Sequence, residues 1–251
     1  MNARGLVVRT GEVALLSGRA FGAMARPPYE LGLWVRQMDQ VGVRSLGVAA
    51  ITTVFTGMVL ALQTAYSLPA LGVKYYIGSV VAKSVVRELG PVLTALIVGG
   101  RVGAGMTAEL GTMKVTEQID ALRSMGADPV KKLVAPRLAA TLVMIPALSI
   151  IGDALGVLGG LLVAVLQLQL APGLYTNSVL KNLTLADFFS GAGKSFFFAA
   201  FIAIVGCFNG LQTTGGADGV GRATTDTVVT SAILILISDY FLTKLFILIS
   251  P

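Results

Sequence analysis

The sequence predicts an all-α membrane protein with about five transmembrane helices, preceded by an N-terminal interfacial amphipathic helix. Of its 251 residues, 55% are hydrophobic and only 13% are charged, whereas soluble domains carry about 25% charged residues. The mean hydropathy is +0.81. The bilayer interior tolerates this composition, because no water there penalises exposed aliphatic side chains.

Five runs of apolar residues are candidates for the membrane spans. They are residues 46–62, 89–108, 138–170, 195–211 and 228–249. As a straight helix the third run would be ~50 Å long, against a hydrocarbon core of ~30 Å. It must therefore tilt strongly, kink at Pro146, protrude or fold back. Residues 212–226 are rich in Gly and Thr, and we expect them to form a loop.

Residues 28–45 have the pattern of an amphipathic helix. Their apolar side chains fall at helical spacing on one face and the charged ones fall elsewhere, and Pro28 suits the first helical turn. Basic residues together with Trp34 are typical of a helix in the membrane interface, although a packed helix of a soluble region would share the pattern. The preceding residues, 1–27, have no long apolar core, so we expect them to be retained rather than cleaved as a signal peptide.

The basic residues are distributed unevenly between the two sides of the membrane. With five spans the two ends of the chain lie on opposite sides. One side collects the arginines of residues 1–45, the charged loop 109–137 and Arg222. The other side carries fewer basic residues: Lys74, Lys83, Arg87, Lys181 and Lys194, with Lys244 near the end of the last span. The positive-inside rule therefore predicts a cytoplasmic N-terminus and a periplasmic C-terminus.

The net charge of +6 is explained by this asymmetry and by anionic lipid headgroups, and we expect no nucleic-acid partner. The chain has no His and a single Cys, Cys207. A Ser-His-Asp triad and a disulfide are excluded, and most metal sites lack their usual ligands. We expect no catalytic residue, no metal and no cofactor.

Two short motifs resemble nucleotide-binding loops but lie in the wrong context. Residues 193–195, Gly-Lys-Ser, match the end of a Walker A motif, yet Phe188 occupies the position of its first Gly. Residues 103–108 match a dinucleotide fingerprint, yet they lie inside an apolar run. Small residues in such a run favour close helix packing. The same applies to three glycines spaced four apart in the third run: Gly152, Gly156 and Gly160.

Charged residues next to or inside the apolar runs are the candidate functional residues. Arg87 and Glu88 adjoin the outer end of the second run, and Asp153 lies midway along the third. A charge at membrane depth costs about 2.5–3.5 kcal/mol on insertion scales, so such residues tend to face a cavity or a partner. The Arg87–Glu88 pair could also be an interfacial anchor that only fixes helix depth. For Asp153 we favour a structural or intersubunit contact over substrate contact.

The charged loop contains the pattern of a short amphipathic helix near residues 113–125. Four apolar residues share one face of this helix: Val115, Ile119, Leu122 and Met125. Three charged residues lie off that face: Glu117, Asp120 and Arg123. A cytoplasmic helix between two spans can transmit motion from a soluble partner by docking in that partner's groove. An ordinary connecting helix would have the same pattern.

Six segments follow one another in a distinctive order and spacing. They are Arg87-Glu88-Leu89-Gly90-Pro91, Gly100-Arg101-Val102-Gly103, Thr107-Ala108-Glu109-Leu110-Gly111, Met113-Lys114-Val115-Thr116-Glu117-Gln118-Ile119-Asp120-Ala121-Leu122, Asp128-Pro129 and Gly219-Val220-Gly221-Arg222-Ala223-Thr224-Thr225. In these segments, and over nearly the whole chain from about residue 30, the sequence resembles the MlaE (YrbE) family of permeases.

The resemblance implies the membrane part of an ABC transporter that moves phospholipids between the bacterial inner and outer membranes. In such systems two permease copies pair with two ATPase subunits, below a periplasmic ring of MCE-domain proteins, and some systems add a STAS-domain protein. The resemblance places Arg87 and Glu88 near the lipid cavity. It also identifies a coupling helix, which contacts the ATPase: Glu117, Gln118, Ile119, Asp120, Ala121 and Leu122.

The expected organisation is thus a cytoplasmic segment (1–27), an interfacial helix (28–45) and an MlaE-type permease domain (46–251) in the inner membrane. An alternative is a secondary transporter or channel driven by an ion gradient, which would be indicated by inverted repeats and paired buried carboxylates. We find neither in the sequence. A purely structural membrane scaffold would need no coupling helix.

Overall fold

The structure, a computed structural model, describes residues 3–27, 31–67 and 75–249. Within these residues it contains helices and no strand. The α-helices are α1 (Ala3–Met24), α2 (Leu31–Val41), α3 (Leu46–Ser67), α4 (Ile77–Ser84), α5 (Gly90–Val115), α6 (Gln118–Ser124), α7 (Ala135–Leu166), α8 (Pro172–Asn182), α9 (Leu185–Leu211) and α10 (Gly216–Ile249). A 3₁₀ turn covers Val43–Ser45, and π turns cover Val85–Leu89 and Val130–Val134.

Five helical segments of the described chain are long and apolar enough to cross a membrane. They are Leu31–Ser67, Ile77–Val115, Val130–Leu166, Leu185–Leu211 and Gly216–Leu248. This confirms the predicted all-α membrane fold with its preceding N-terminal helix.

The third apolar run, whose length required it to tilt, kink, protrude or fold back, contains one continuous helix. α7 is a single helix of 32 residues that continues through Pro146 and ends at Leu166. Residues 167–170 of the predicted run lie beyond the end of this helix: 167 and 168 form a turn, and 169 and 170 have no regular secondary structure.

Two helix starts predicted from hydropathy were wrong, and one helix was missed. α9 begins at Leu185, well before the predicted start at residue 195, and α10 begins at Gly216 inside the expected loop 212–226. The helix α1 was not predicted at all. In each case the helix contains polar residues, and hydropathy measures apolar content rather than backbone conformation. α2 covers only Leu31–Val41 of the predicted helix, and Pro28 and Lys74 lie outside the described residues.

The chain divides into two compact units. The first comprises the described residues of Met1–Val43, Gly99–Met144 and Phe198–Ile235; the second comprises those of Arg44–Val98, Ile145–Phe197 and Leu236–Pro251. In the first unit α1 packs against the π turn Val130–Val134. Ala20 of α1 is completely buried there.

In the second unit α4 packs against both α3 and α8. Tyr175 of α8 lies in the core with Ala61 of α3 and Val81 of α4. Its hydroxyl donates a hydrogen bond to the carbonyl of Val157, 3.0 Å away. The bond satisfies the one polar atom that this large side chain brings into an apolar core.

Small residues bring α3 and α7 into close contact, as the spacing of the glycines predicted. A Cβ atom added at Gly57 would overlap the backbone of Gly156, and one at Gly159 would overlap the backbone of Val54. Gly160 faces the Tyr175 hydroxyl. Without side chains at these points the two backbones approach closely, which is how helices gain packing contacts in a membrane.

Candidate functional site

Arg87 and Glu88 lie in a π turn rather than in a regular helix. The backbone N–H of Gly90 bonds to the carbonyl of Val85, which closes the wider turn. The next residue is Pro91, which has no N–H to offer the Arg87 carbonyl and whose ring crowds it. The α-helical hydrogen-bond pattern is therefore interrupted at the two charged residues, and π turns of this kind occur frequently at functional sites.

Arg87 forms an ion pair with Asp187 at the start of α9. Its Nη1 lies 3.2 Å from Asp187 Oδ1, and the Asp187 side chain is only 5% exposed, against 30% for Arg87. Asp187 Oδ2 also accepts hydrogen bonds from the backbone N–H and hydroxyl of Thr184. Thr184 and Asp187 thus form a capping box that fixes the first turn of α9 and the position of the carboxylate.

Glu88 has a different partner, Lys194, which is completely buried. The Lys194 ammonium lies 2.5 Å from Glu88 Oε2 and 3.2 Å from Asp239 Oδ1, and donates a 2.7 Å hydrogen bond to the Thr243 hydroxyl. The two carboxylates are partly exposed, 37% for Glu88 and 22% for Asp239. We call Glu88, Lys194, Asp239 and Thr243 the charged cluster.

The approach of α9 to the π turn makes this cluster possible. A Cβ atom added at Gly191 would overlap the Val86 carbonyl, so only glycine permits this separation. Lys194 follows Gly191 by three residues and therefore projects from the same side of α9. An unpaired ammonium at this depth would be costly, and the two carboxylates offset that cost.

An open cavity of 540 Å³ lies along α10 next to the charged cluster. Its wall contains Asp239 and Thr243, which both contact Lys194, together with Lys244. The remaining wall is apolar or aromatic: Leu236, Tyr240, Ile247 and Leu248. The arrangement suits a ligand with a charged end and long apolar chains.

The short helix α6 lies in the loop between α5 and α7. It is preceded by Glu117, whose φ of 60° is left-handed, so the backbone turns sharply there. α5 extends to Val115, and α6 covers only Gln118–Ser124 of the predicted 113–125. Val115 is therefore not on the face of α6 where the periodicity had placed it.

One side of α6 packs on the protein and the rest is accessible. Ile119 is completely buried, while Glu117 and Asp120 are exposed. Asp120 lies 2.8 Å from the Lys114 ammonium and 3.2 Å from Arg123 Nη1. The hydrogen bond from Lys114 holds the pKa of Asp120 below its ordinary value.

With this geometry described, comparison with known proteins identifies the family. The sequence profile of the family described as Permease MlaE matches residues 34–245. The chain belongs to the MlaE permease family.

Curated relatives agree with this assignment. The chain is 47% identical to a probable ABC transporter permease protein of Rickettsia typhi over 235 residues, which cover 94% of this chain and 91% of the relative. It is 44% identical to a probable ABC transporter permease protein of Synechocystis over 211 residues, 84% and 80% of the two chains. It is 37% identical to the intermembrane phospholipid transport system permease protein MlaE of Haemophilus influenzae over 229 residues, 90% and 88% of the two chains.

In this MlaE-family permease, sequence reasoning found one residue of the charged cluster and missed three. Glu88 was predicted as a site residue, but Lys194, Asp239 and Thr243 were not. Lys194 was expected outside a span, whereas it lies inside α9. The signal that could have found two of them is a cation at the start of the fourth apolar run, Lys194, and an anion inside the fifth, Asp239, because such charges in a membrane tend to pair.

Asp153 is buried inside the second unit, with an exposed fraction of 6%. A Cβ atom added at Gly90 would overlap its carboxylate, so the side chain faces α5 of the same chain. This favours the structural role over an intersubunit contact. Among the described residues, four buried oxygen atoms of the second unit have no hydrogen-bond partner: Thr94 Oγ1, Ser149 Oγ, Asp153 Oδ1 and Asp239 Oδ1. The last of these still forms the ion pair with Lys194.

Proposed function

We propose that this chain is the transmembrane subunit of an ABC transporter that moves phospholipids between the inner and outer membranes, with ATP hydrolysed by a separate subunit. The observation that carries the proposal is the cavity along α10, where apolar walls adjoin Asp239, Thr243 and Lys244. The name of the Haemophilus influenzae relative, an intermembrane phospholipid transport system permease protein, supports the same substrate class. The chain itself performs no covalent chemistry in this proposal, and it needs no cofactor.

Arg87 and Glu88 are the proposed lipid-binding residues. Arg87 is 30% exposed beside Asp187, so part of its guanidinium remains available to a phosphate through two parallel hydrogen bonds. The exposed part of the Glu88 carboxylate pairs with the cationic group of a zwitterionic headgroup in this proposal. Its bond to Lys194 holds it in position for that contact.

The proposed working unit is a homodimer that forms over α10. In the most apolar window of Gly216–Leu248 only 11% of the residues are buried, against 61% for Leu185–Leu211. Two adjacent aromatic residues of α10 are also exposed, Tyr240 at 66% and Phe241 at 63%. A second copy that covers this face would convert the open cavity into an enclosed one.

The proposed partners lie on opposite sides of the inner membrane. The charged loop and the N-terminus are cytoplasmic by the positive-inside rule, and the C-terminus is periplasmic. An ABC ATPase docks on the coupling helix, Glu117–Leu122, and a periplasmic MCE-domain protein docks opposite. A STAS-domain protein is an additional partner in some systems. The ABC permease names of the relatives favour this assembly over the alternative of an ion-gradient-driven transporter or channel.

The lipid site is tested by photocrosslinking in detergent, where bulk bilayer lipid has been removed. A photoreactive residue at Tyr240 should capture phospholipid, whereas one at Val59, similarly exposed on α3, should not. The substitution Glu88→Lys should reduce capture at position 240. Equal capture of phospholipid at both positions, unaffected by Glu88→Lys, would show that the cavity is not the lipid site.

The coupling assignment is tested by copurification with the ATPase. The double substitution Glu117→Lys and Asp120→Lys should leave the permease folded in the membrane but release the ATPase. Glu12→Lys reverses another exposed acid predicted on the same side and serves as the control. If the double variant retains the ATPase and still transports lipid, α6 is an ordinary connecting helix.

A further inference from the structure

A second cavity, of 170 Å³, lies in the first unit between the end of α1, the helix α2 and the start of the third span. Its walls combine basic, acidic and apolar groups. The side chains that matter here are Arg26, Trp34, Asp128, Lys131, Lys132 and Pro136. Neither the family assignment nor the proposed lipid pathway accounts for it.

The cavity is electropositive, with three cationic side chains and one carboxylate. Asp128 Oδ1 accepts a 2.9 Å hydrogen bond from the Val130 backbone N–H. This bond reduces the negative potential that the carboxylate adds to the cavity. The Lys131 ammonium donates a 2.9 Å hydrogen bond to the Pro27 carbonyl. This bond fixes the ammonium in place and leaves its other N–H groups available to an anion.

The position of the cavity next to the third apolar run places it near the expected depth of lipid headgroups. Lys132 precedes Leu138, the start of an apolar run, by six residues, which is ~9 Å along a helix. The headgroup layer on each side of a bilayer is about 5–8 Å thick, from a total of ~40–45 Å around a ~30 Å core. The Lys132 backbone therefore lies at the outer limit of this layer, and its long side chain can reach back into it. Trp34 lies in the cavity wall, as expected for an aromatic residue at a membrane interface.

The surface of α2 includes exposed aliphatic residues. On α2, Leu31 and Val35 are 66% and 65% exposed and flank Trp34 in sequence. A soluble anion would gain nothing from these side chains, whereas the acyl chains of a lipid would cover them. The combination of cations at headgroup depth with exposed aliphatic residues alongside therefore selects a lipid over free phosphate.

We propose that this cavity binds the headgroup of an anionic phospholipid in the leaflet on which residues 1–45 lie. Basic pockets between helices at the cytoplasmic membrane surface are suited to such headgroups. The bound lipid would hold α1 and α2 against the start of α7. This proposal does not depend on the transport function, because its residues are not those of the charged cluster.

Trp34 is the only tryptophan of the chain, so its fluorescence reports directly on the cavity. The full chain is reconstituted in phosphatidylcholine nanodiscs that contain a small fraction of lipid brominated near the headgroup end of its acyl chains. Brominated phosphatidylglycerol should quench Trp34 more strongly than brominated phosphatidylcholine at the same mole fraction. A basic residue near the surface contributes about 1 kcal/mol, or roughly fivefold. The substitutions Lys131→Gln and Lys132→Gln together should therefore lower the preference about 30-fold.

Two further variants separate a specific site from general attraction. Lys181→Gln removes an exposed lysine of α8 and should leave the preference unchanged. The double substitution Lys131→Arg and Lys132→Arg keeps the charge and should retain most of the preference for phosphatidylglycerol. This result would also show that the two positions tolerate substitution. Equal quenching by the two brominated lipids, or an unchanged preference in the double Gln variant, would overturn the proposal. Displacement of the lipid by inorganic phosphate would assign the cavity to a soluble anion and overturn the lipid assignment.

Discussion

The substitution Lys194→Met is the most direct test of the charged cluster. Methionine keeps most of the apolar stem and removes the ammonium, which is completely buried among Glu88, Asp239 and Thr243. Removing one member of a buried ion pair typically costs about 3–5 kcal/mol, because the remaining charge is left uncompensated. Glu88 and Asp239 are partly exposed and can recruit water. We therefore expect the free energy of unfolding to fall by about 3 kcal/mol, near the lower limit of this range.

A double-mutant cycle separates the ion pair from the other effects of the substitution. Glu88→Gln alone should cost less, about 1–2 kcal/mol, because Lys194 keeps Asp239 and Thr243 as partners. In the variant that carries both substitutions, the loss should be smaller than the sum by about 1–3 kcal/mol, as for residues in direct contact. Unfolding in detergent micelles, titrated with SDS and followed by circular dichroism, measures these differences.

Lys181→Met is the matched control, since it removes an exposed lysine from α8 and should change stability by less than about 0.5 kcal/mol. Additive effects of Glu88→Gln and Lys194→Met would refute the pairing. So would a Lys194→Met variant that unfolds at the same SDS fraction as the unsubstituted chain, because a buried and paired ammonium cannot be removed without cost.

Two further predictions concern topology and helix packing. A cysteine introduced at Ser124, in a chain whose buried Cys207 has been replaced by Ser, should resist labelling by a membrane-impermeant reagent in intact cells and react after lysis; efficient labelling in intact cells would reverse the proposed topology. Gly57→Ala should destabilise the protein by about 1–3 kcal/mol, because the new methyl group overlaps the Gly156 backbone. Gly105→Ala, which meets nothing within 4 Å, should not destabilise it, and equal effects of the two would show that α3 and α7 are not in close contact.

The fold class could be predicted from sequence because it follows from the total apolar content. In a bilayer a backbone must satisfy its hydrogen bonds within the helix, so an apolar run of sufficient length has few alternatives. The glycines of α7 were also interpreted correctly. Gly152, Gly156 and Gly160 share one face at a spacing of four, and that face packs on neighbouring helices.

The helix boundaries were predicted less well because polar residues in membrane helices can be satisfied locally. Asp187 and Thr184 cap the start of α9, so a segment that appears polar in the sequence is helical. Gly216 to Asp226 were expected to be a loop, yet Thr224 and Thr225 each donate a hydrogen bond to the Gly221 carbonyl within α10. Hydroxyl groups bonded to their own helix do not interrupt it.

The candidate site could be predicted only in part, because a pairing is a property of three-dimensional packing. Arg87 and Glu88 are adjacent in sequence, and because successive residues on a helix point ~100° apart, they need not pair with each other. Each instead finds a partner on α9, Asp187 for Arg87 and Lys194 for Glu88. Gly191, which permits the approach, is an unremarkable residue in the sequence.

Lys194 shows most clearly why the context of a charge decides its role. Next to Gly193 and Ser195 it resembles the lysine of a phosphate-binding loop, and by hydropathy it marks the end of a span. In the structure it is a buried cation that holds Glu88 of the π turn to Asp239 and Thr243 of α10. A ligand that competes for Glu88 or Asp239 in the adjacent cavity would therefore weaken the contact of α9 with both elements. In the proposed function the same side chain would thus link headgroup binding to helix packing.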